Sequence, residues 1–76
     1  MSMFDHELDA SNLSCPLPIL KARKALSTME SGHTLRVLTT DPGSQKDFPA
    51  FAHQTGHTLV ESTEEGDKFS FVIRKN

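Results

Sequence analysis

The stretch Leu13-Ser-Cys-Pro-Leu-Pro-Ile-Leu-Lys-Ala-Arg-Lys-Ala-Leu-Ser-Thr-Met29 decides how this chain is read. Two prolines open it, good helix formers continue it, and Gly32 follows as a helix stop signal. The pattern predicts a first helix with Cys15 at the N-cap and Pro16 at N1, where a missing N–H costs nothing. At about 100° per residue, Ile19, Ala22, Leu26 and Met29 share a stripe that would face a sheet. Leu17, Leu20, Lys21 and Lys24 point elsewhere, which leaves two leucines near solvent beside lysines.

Upstream, Phe4 to Leu8 alternates: Phe4, His6 and Leu8 fall on one side, Asp5 and Glu7 on the other, as in a half-buried strand. Downstream, Thr34 to Thr40 reads as a second strand and Asp41-Pro42-Gly43 as a turn. Phe48, Phe51, Ala52 and Thr55 then recur at helical spacing up to Gly56. The start of this second helix is ambiguous. Ser44 with Asp47 resembles a capping box, but Pro49 would then break a backbone bond inside the helix. A short turn at Ser44 with Asp47 as N-cap removes the conflict. His57–Ser62 and Lys68–Lys75 are strand-like and pair as a hairpin through Glu64-Glu65-Gly66-Asp67, with Phe69, Phe71 and Ile73 on one face.

The order β-α-β-α-β-β is too short for a sheet covered on both sides. It suits a two-layer α/β sandwich, with two helices packed on one face of a mixed four-stranded sheet. The 76 residues are expected to form one domain, 1–76, with no repeat or linker. A chain this small buries only ~60–65 % of the surface exposed by its unfolded form, so a disulfide set or structural metal would be useful. Cys15 is the only cysteine, which excludes an intrachain disulfide, a C-x-x-C redox pair and a Cys-rich zinc site.

Lys and Arg number 8 against 10 Asp and Glu, a net charge of −2, which gives none of the positive footprint that a phosphate backbone requires. Direct nucleic-acid binding is therefore not expected. Nor does any run approach the ~18 apolar residues of a membrane span, and the acidic N-terminus does not resemble a signal peptide. A cytoplasmic monomer is expected, in which Cys15 stays reduced.

A lone intracellular cysteine is ordinarily a small buried hydrophobe. At a helix N-cap, however, Ser, Thr, Asp or Asn stabilises better, so a cysteine there needs another reason. Aligned peptide dipoles and free N–H groups at a helix start favour a thiolate, the reactive form. Pro16 and Pro18 stiffen the tip that carries the sulfur, and Lys21, Arg23 and Lys24 add positive charge in the following turns.

Several blocks together carry a resemblance: Leu8-Asp9, Asn12-Leu-Ser-Cys-Pro-Leu-Pro18, the helix Ile19–Ala25, Asp41-Pro42, Asp47-Phe48-Pro49 and Gly56-His-Thr-Leu59. The chain is similar over nearly its whole length to the TusA/SirA family of small sulfur carrier proteins, which share the Cys-Pro-x-Pro motif. The resemblance implies the same β-α-β-α-β-β fold and a transient persulfide on Cys15, with no other cofactor. It also implies a donor protein, such as a cysteine desulfurase or rhodanese, and an acceptor in tRNA thiolation, molybdenum-cofactor or sulfur-oxidation chemistry. Such a protein is a sulfurtransferase-type carrier more than a stand-alone turnover enzyme. The family usually has glycine three residues before the cysteine, where this chain has Asn12; asparagine is the next most tolerant residue for a left-handed turn, so the loop shape should survive.

Having no second cysteine fits a carrier, because a neighbouring thiolate would attack a persulfide and release sulfide. Leu17, Leu20, Lys21 and Lys24, beside the sulfur, are the candidate partner-docking residues. The competing class is a regulatory or interaction module in which Cys15 is structural or redox-sensing. His53 and His57 have the spacing of a helical metal pair, but Gly56 between them should make them diverge, and no metal site is expected. Glu64, Glu65 and Asp67 read as a solvated hairpin tip.

Overall fold

A computed structural model describes residues 4–14 and 16–76; Met1, Ser2, Met3 and Cys15 lie outside the described residues. The elements are β1 (His6–Ala10), α1 (Leu17–Ser27), β2 (Thr34–Thr39), α2 (Ser44–Thr55), β3 (Thr58–Glu65) and β4 (Lys68–Arg74). The sheet order is β1-β2-β4-β3, with β1 parallel to β2 and β4 antiparallel to both of its neighbours. This is the expected two-layer sandwich on a mixed sheet.

Side-chain alternation decides the core. Leu35, Val37 and Thr39 of β2 and Phe69, Phe71 and Ile73 of β4 are buried beneath the helices. From α1 come Ala22 and Leu26, with Met29 just beyond its end; from α2 come Phe48, Phe51 and Ala52. Phe48 stacks on Phe71 with centroids 4.7 Å apart, so one aromatic contact joins helix and sheet layers. Ile19, placed in the sequence-derived stripe, is only half-buried, and the buried Pro18 takes part of its place.

Several boundaries differ from the sequence reading. The first strand runs two residues later than Phe4–Leu8, because Asp5 acts as a clamp before it: Thr34 N–H donates to Asp5 Oδ2 at 2.9 Å, and Asp5 N–H donates to Thr34 O at 3.0 Å. The cap of α1 falls on Pro16, one residue beyond the expected Cys15, which puts Leu17 at N1 and Pro18 at N2. α1 stops at Ser27 because the hydroxyls of Ser27 and Thr28 take the Lys24 and Ala25 carbonyls, competing with further helical bonds.

The largest correction concerns α2. It begins at Ser44 with Gly43 as N-cap, so Asp47 is inside its first turn and Pro49 is interior. Tight bonds start it: Ser44 N–H donates to Asp41 O at 3.0 Å, Gln45 N–H to Pro42 O at 3.2 Å and Lys46 N–H to Gly43 O at 3.1 Å. These three-residue bonds and the Asp41 carboxylate on Gly43 N–H set the helix going without Asp47 as a cap. Gly56 closes it at φ 79°, as expected.

The third strand also runs further than Ser62, to Glu65, leaving Gly66-Asp67 as the hairpin loop. Gly66 has φ 64°, the positive value that a tight two-residue hairpin loop demands. No helix among the described residues is long and apolar enough to cross a membrane.

Candidate functional site

Registers place the site. Ala10 pairs with Thr39, and Thr39 with Phe69, so the ends of β1 and β2 lie beside the start of β4. The β1–α1 loop, the β2–α2 loop and the β3–β4 hairpin therefore share one edge of the sheet. That edge lies outside the carboxyl ends of the two parallel strands, where α/β sheets place their ligands. Asn12, Leu13 and Ser14 belong to the first of these connections, and Pro16 caps the helix that follows it.

The loop is held by named bonds on its β1 side. Ser11 N–H donates to Asp9 Oδ1 at 2.9 Å, and Asn12 N–H donates to Thr40 Oγ1 at 2.9 Å. Asn12 has φ 65° and is the one non-glycine residue with positive φ among the described residues. The left-handed turn anticipated for this position is present, made by asparagine. Asp9 is held below the usual carboxylate range, first by hydrogen bonding from Ser11 and in smaller part by the charge of Lys68 on β4, two strands away.

Cys15 lies outside the described residues, so its setting is defined by what precedes and follows it. The helix start differs from the generic case in a way that bears on its thiol. Pro16 and Pro18 have no N–H, and Leu17 gives its N–H to Ser14 O at 2.9 Å. The free donors expected from the sequence are therefore largely removed from the first turn. The field of the aligned peptides remains as the main favourable influence on an anion beside Pro16.

The expected docking residues are arranged as the helical spacing requires. Leu17 and Leu20 are 45 % and 51 % exposed, and with Val60 they are the large exposed hydrophobics among the described residues. Lys21 and Lys24 line a shallow groove of about 310 Å³ with Leu8, Ala25 and Thr28. A second groove of about 300 Å³ was not anticipated: Pro16, Ile19 and Arg23 of the α1 side face Ala50, Phe51 and Gln54 of α2. Its sequence signal was present, because Ile19 and Arg23 are four apart and share a helix face, but the partner helix could not be chosen from spacing alone.

His53 and His57 do not form a pair. His53 is exposed on α2, whereas His57, beyond Gly56, accepts the Asn76 N–H at Nδ1 (3.2 Å) and packs against the Phe51 ring. Among the described residues no cluster of three His, Cys, Asp or Glu could hold a metal ion.

The family model described as "Sulfurtransferase TusA" matches residues 6–75. The chain belongs to the TusA family. It is 63 % identical over 76 residues to a protein of Allochromatium vinosum named sulfur carrier protein TusA, with all of both chains covered. A putative sulfur carrier protein of Neisseria meningitidis is 47 % identical over 72 residues, 95 % of this chain and 97 % of that one. The putative sulfur carrier protein YrkI of Bacillus subtilis is 45 % identical over 71 residues, covering 93 % and 95 %. Among solved structures, the crystal structure of a SirA-like protein from Desulfitobacterium hafniense superposes with a TM-score of 0.80 at 25 % identity, over 92 % of this chain and 96 % of that one. The TusA/SirA resemblance read from the sequence and the two-layer fold are both borne out.

Proposed function

We propose that this protein, a sulfur carrier with a donor and an acceptor protein as partners, holds the sulfur on Cys15 as a persulfide. One observation carries the reading: in a chain of this family, the sole cysteine is the residue before Pro16, the cap of α1, in a Cys-Pro-x-Pro sequence. The Cys15 thiolate attacks the terminal sulfur of a donor persulfide; a Cys15–S bond forms, the donor's S–S bond breaks, and the donor leaves as a thiolate. The second transfer repeats this step with Cys15 as the leaving group, and neither step changes the net oxidation state. Because the chain has no second thiol, the persulfide cannot collapse into an intrachain disulfide.

Pro16 and Pro18 restrict the backbone next to the sulfur, and Asn12 turns the loop that delivers it. Leu17 and Leu20, rimmed by Lys21 and Lys24, form a docking surface for a partner with an acidic rim. The proposal extends to a single carrier domain spanning 1–76, to a monomer in the cytoplasm, and to a donor of the cysteine desulfurase or rhodanese class. The acceptor belongs to tRNA thiolation, molybdenum-cofactor or sulfur-oxidation chemistry.

The test is intact-mass measurement after incubation with a cysteine desulfurase and cysteine. One added sulfur, removed by dithiothreitol and missing in Cys15→Ser, is the expected result. A protein that gains no sulfur from a desulfurase, a rhodanese or inorganic polysulfide is not a persulfide carrier.

A further inference from the structure

β3 is an outer strand of the sheet, paired with β4 on one side only. Along its other side, alternate N–H and C=O groups have no strand partner within the sheet, which makes the edge a template for an added strand. Six of its eight residues are exposed. From Glu61 to Asp67 there are four carboxylates and no cation, and none of the four forms an ion pair with another described residue. Glu61 and Glu65 lie opposite Val72 and Lys68 on the face turned away from the helices, while Glu64 lies opposite Phe69 on the helix side. On the open face, from β3 across β4 to β2, runs a trough of about 490 Å³ in which Glu65 and Asp67 are set with Arg36 and Lys68 around Leu38, Thr63 and Ser70.

We infer that this edge docks an extended, lysine- or arginine-rich segment of one of the two transfer partners, which adds beside β3 as a fifth strand. The inference rests on the carrier reading, under which two different proteins must reach one sulfur. Charge selects the occupant. A second copy of this chain would bring the same carboxylates against themselves, and an acidic partner would be repelled likewise. The basic side chains of such a strand meet Glu61 and Glu65 on the open face, and its alternate, apolar positions fall on the helix side. The hairpin lies at the same end of the sheet as the β1–α1 connection, and Gln45 Nε2 donates to Glu64 at 3.0 Å, tying the strand to the first turn of α2. Lys21, Arg23 and Lys24 on α1 bear the opposite sign, so the carrier presents two docking surfaces that sort their partners by charge.

The probe is a twelve-residue peptide alternating lysine with valine, and its glutamate-for-lysine counterpart is the control, each titrated into isotopically labelled full-length protein followed by NMR. The lysine peptide is expected to shift amide signals of residues 58–65 and to slow their hydrogen exchange, weakening as salt rises. The control peptide should leave them unmoved. Glu61→Gln, Glu64→Gln and Glu65→Gln combined should raise the dissociation constant about tenfold, and the corresponding lysine triple variant should abolish binding, each checked for a native spectrum. Shifts centred on α1, equal binding of both peptides, unprotected β3 amides, or a dimer through β3 would each overturn the inference. The peptide experiment needs no sulfur on the protein, so its failure is distinct from a failure to form the persulfide.

Discussion

Asn12 and Thr40 join two loops across one end of the sheet: the backbone N–H of Asn12, a residue at φ 65°, donates to the Thr40 hydroxyl at 2.9 Å. Neither residue is part of a helix or strand, yet their bond fixes the β1–α1 loop to the end of β2. Asn12→Gly should fold as well as the parent, since glycine adopts positive φ without penalty, whereas Asn12→Val should lose about 1–2 kcal/mol. Thr40→Val, which removes the acceptor, should lose about 1 kcal/mol. Chemical denaturation of the three variants checks this, and an unaltered Asn12→Val would show that the loop has an alternative path.

Pro49→Ala should stabilise the protein. Pro49 is exposed inside α2, so its replacement restores an N–H that can donate to the Gln45 carbonyl without removing buried surface. The gain is about 1–3 kcal/mol, reduced by the extra freedom that alanine gives the unfolded chain. A rise in Tm is the expected measurement.

Where the sequence could be followed, one periodicity had one plausible answer. The stripes Ala22-Leu26-Met29 and Phe48-Phe51-Ala52 and the alternation Phe69-Phe71-Ile73 each had to face a core, and each does. The start of α2 is not legible from Pro49, because tight bonds to the carbonyls of Asp41, Pro42 and Gly43 begin the helix earlier than the local cost of that proline implies. At β1, alternation alone could not reveal that the Asp5 carboxylate would hold Thr34 and end the strand at that point. The Pro16–Phe51 groove was invisible for a different reason: it belongs to two helices, and one-dimensional spacing describes only one at a time.

Lys21→Glu with Lys24→Glu should slow transfer from or to the partner that docks on α1 and reverse the salt dependence of that step. Alkylation of Cys15 by a small neutral reagent should change little. Both lysines are exposed, so their replacement removes no core packing. Stopped-flow transfer rates across a salt series give the measurement, and rates indifferent to both charge and salt would place this docking surface elsewhere.

Asp9 provides a pH-dependent prediction. Its carboxyl is held below the ordinary value of 3.8, chiefly by hydrogen bonding from Ser11. A depressed folded pKa stabilises the fold above the unfolded pKa, and that stabilisation is lost as pH falls through the folded value. NMR titration should thus give an Asp9 midpoint below 3.8, with Ser11 and Asn12 signals moving in the same acid range. Ser11→Ala should raise the midpoint toward the ordinary value.

The strand pairings also bear on when the connection from β1 into α1 is organised. β3 and β4 meet through a two-residue loop, the cheapest closure in the chain, whereas the β1–β2 contact at Asp5 and Thr34 joins positions 29 residues apart with α1 between them. The hairpin is thus the natural early structure, whereas the joining of β2 to β4 and of β1 to β2 both wait on long-range closure. A folding-rate analysis should give transition-state values near one at Glu65 and Lys68 and near zero at Leu8. Ser11 and Asn12 follow directly on β1, so the connection into α1 takes its native form only when these distant pairings are made, and a partly folded chain does not present it.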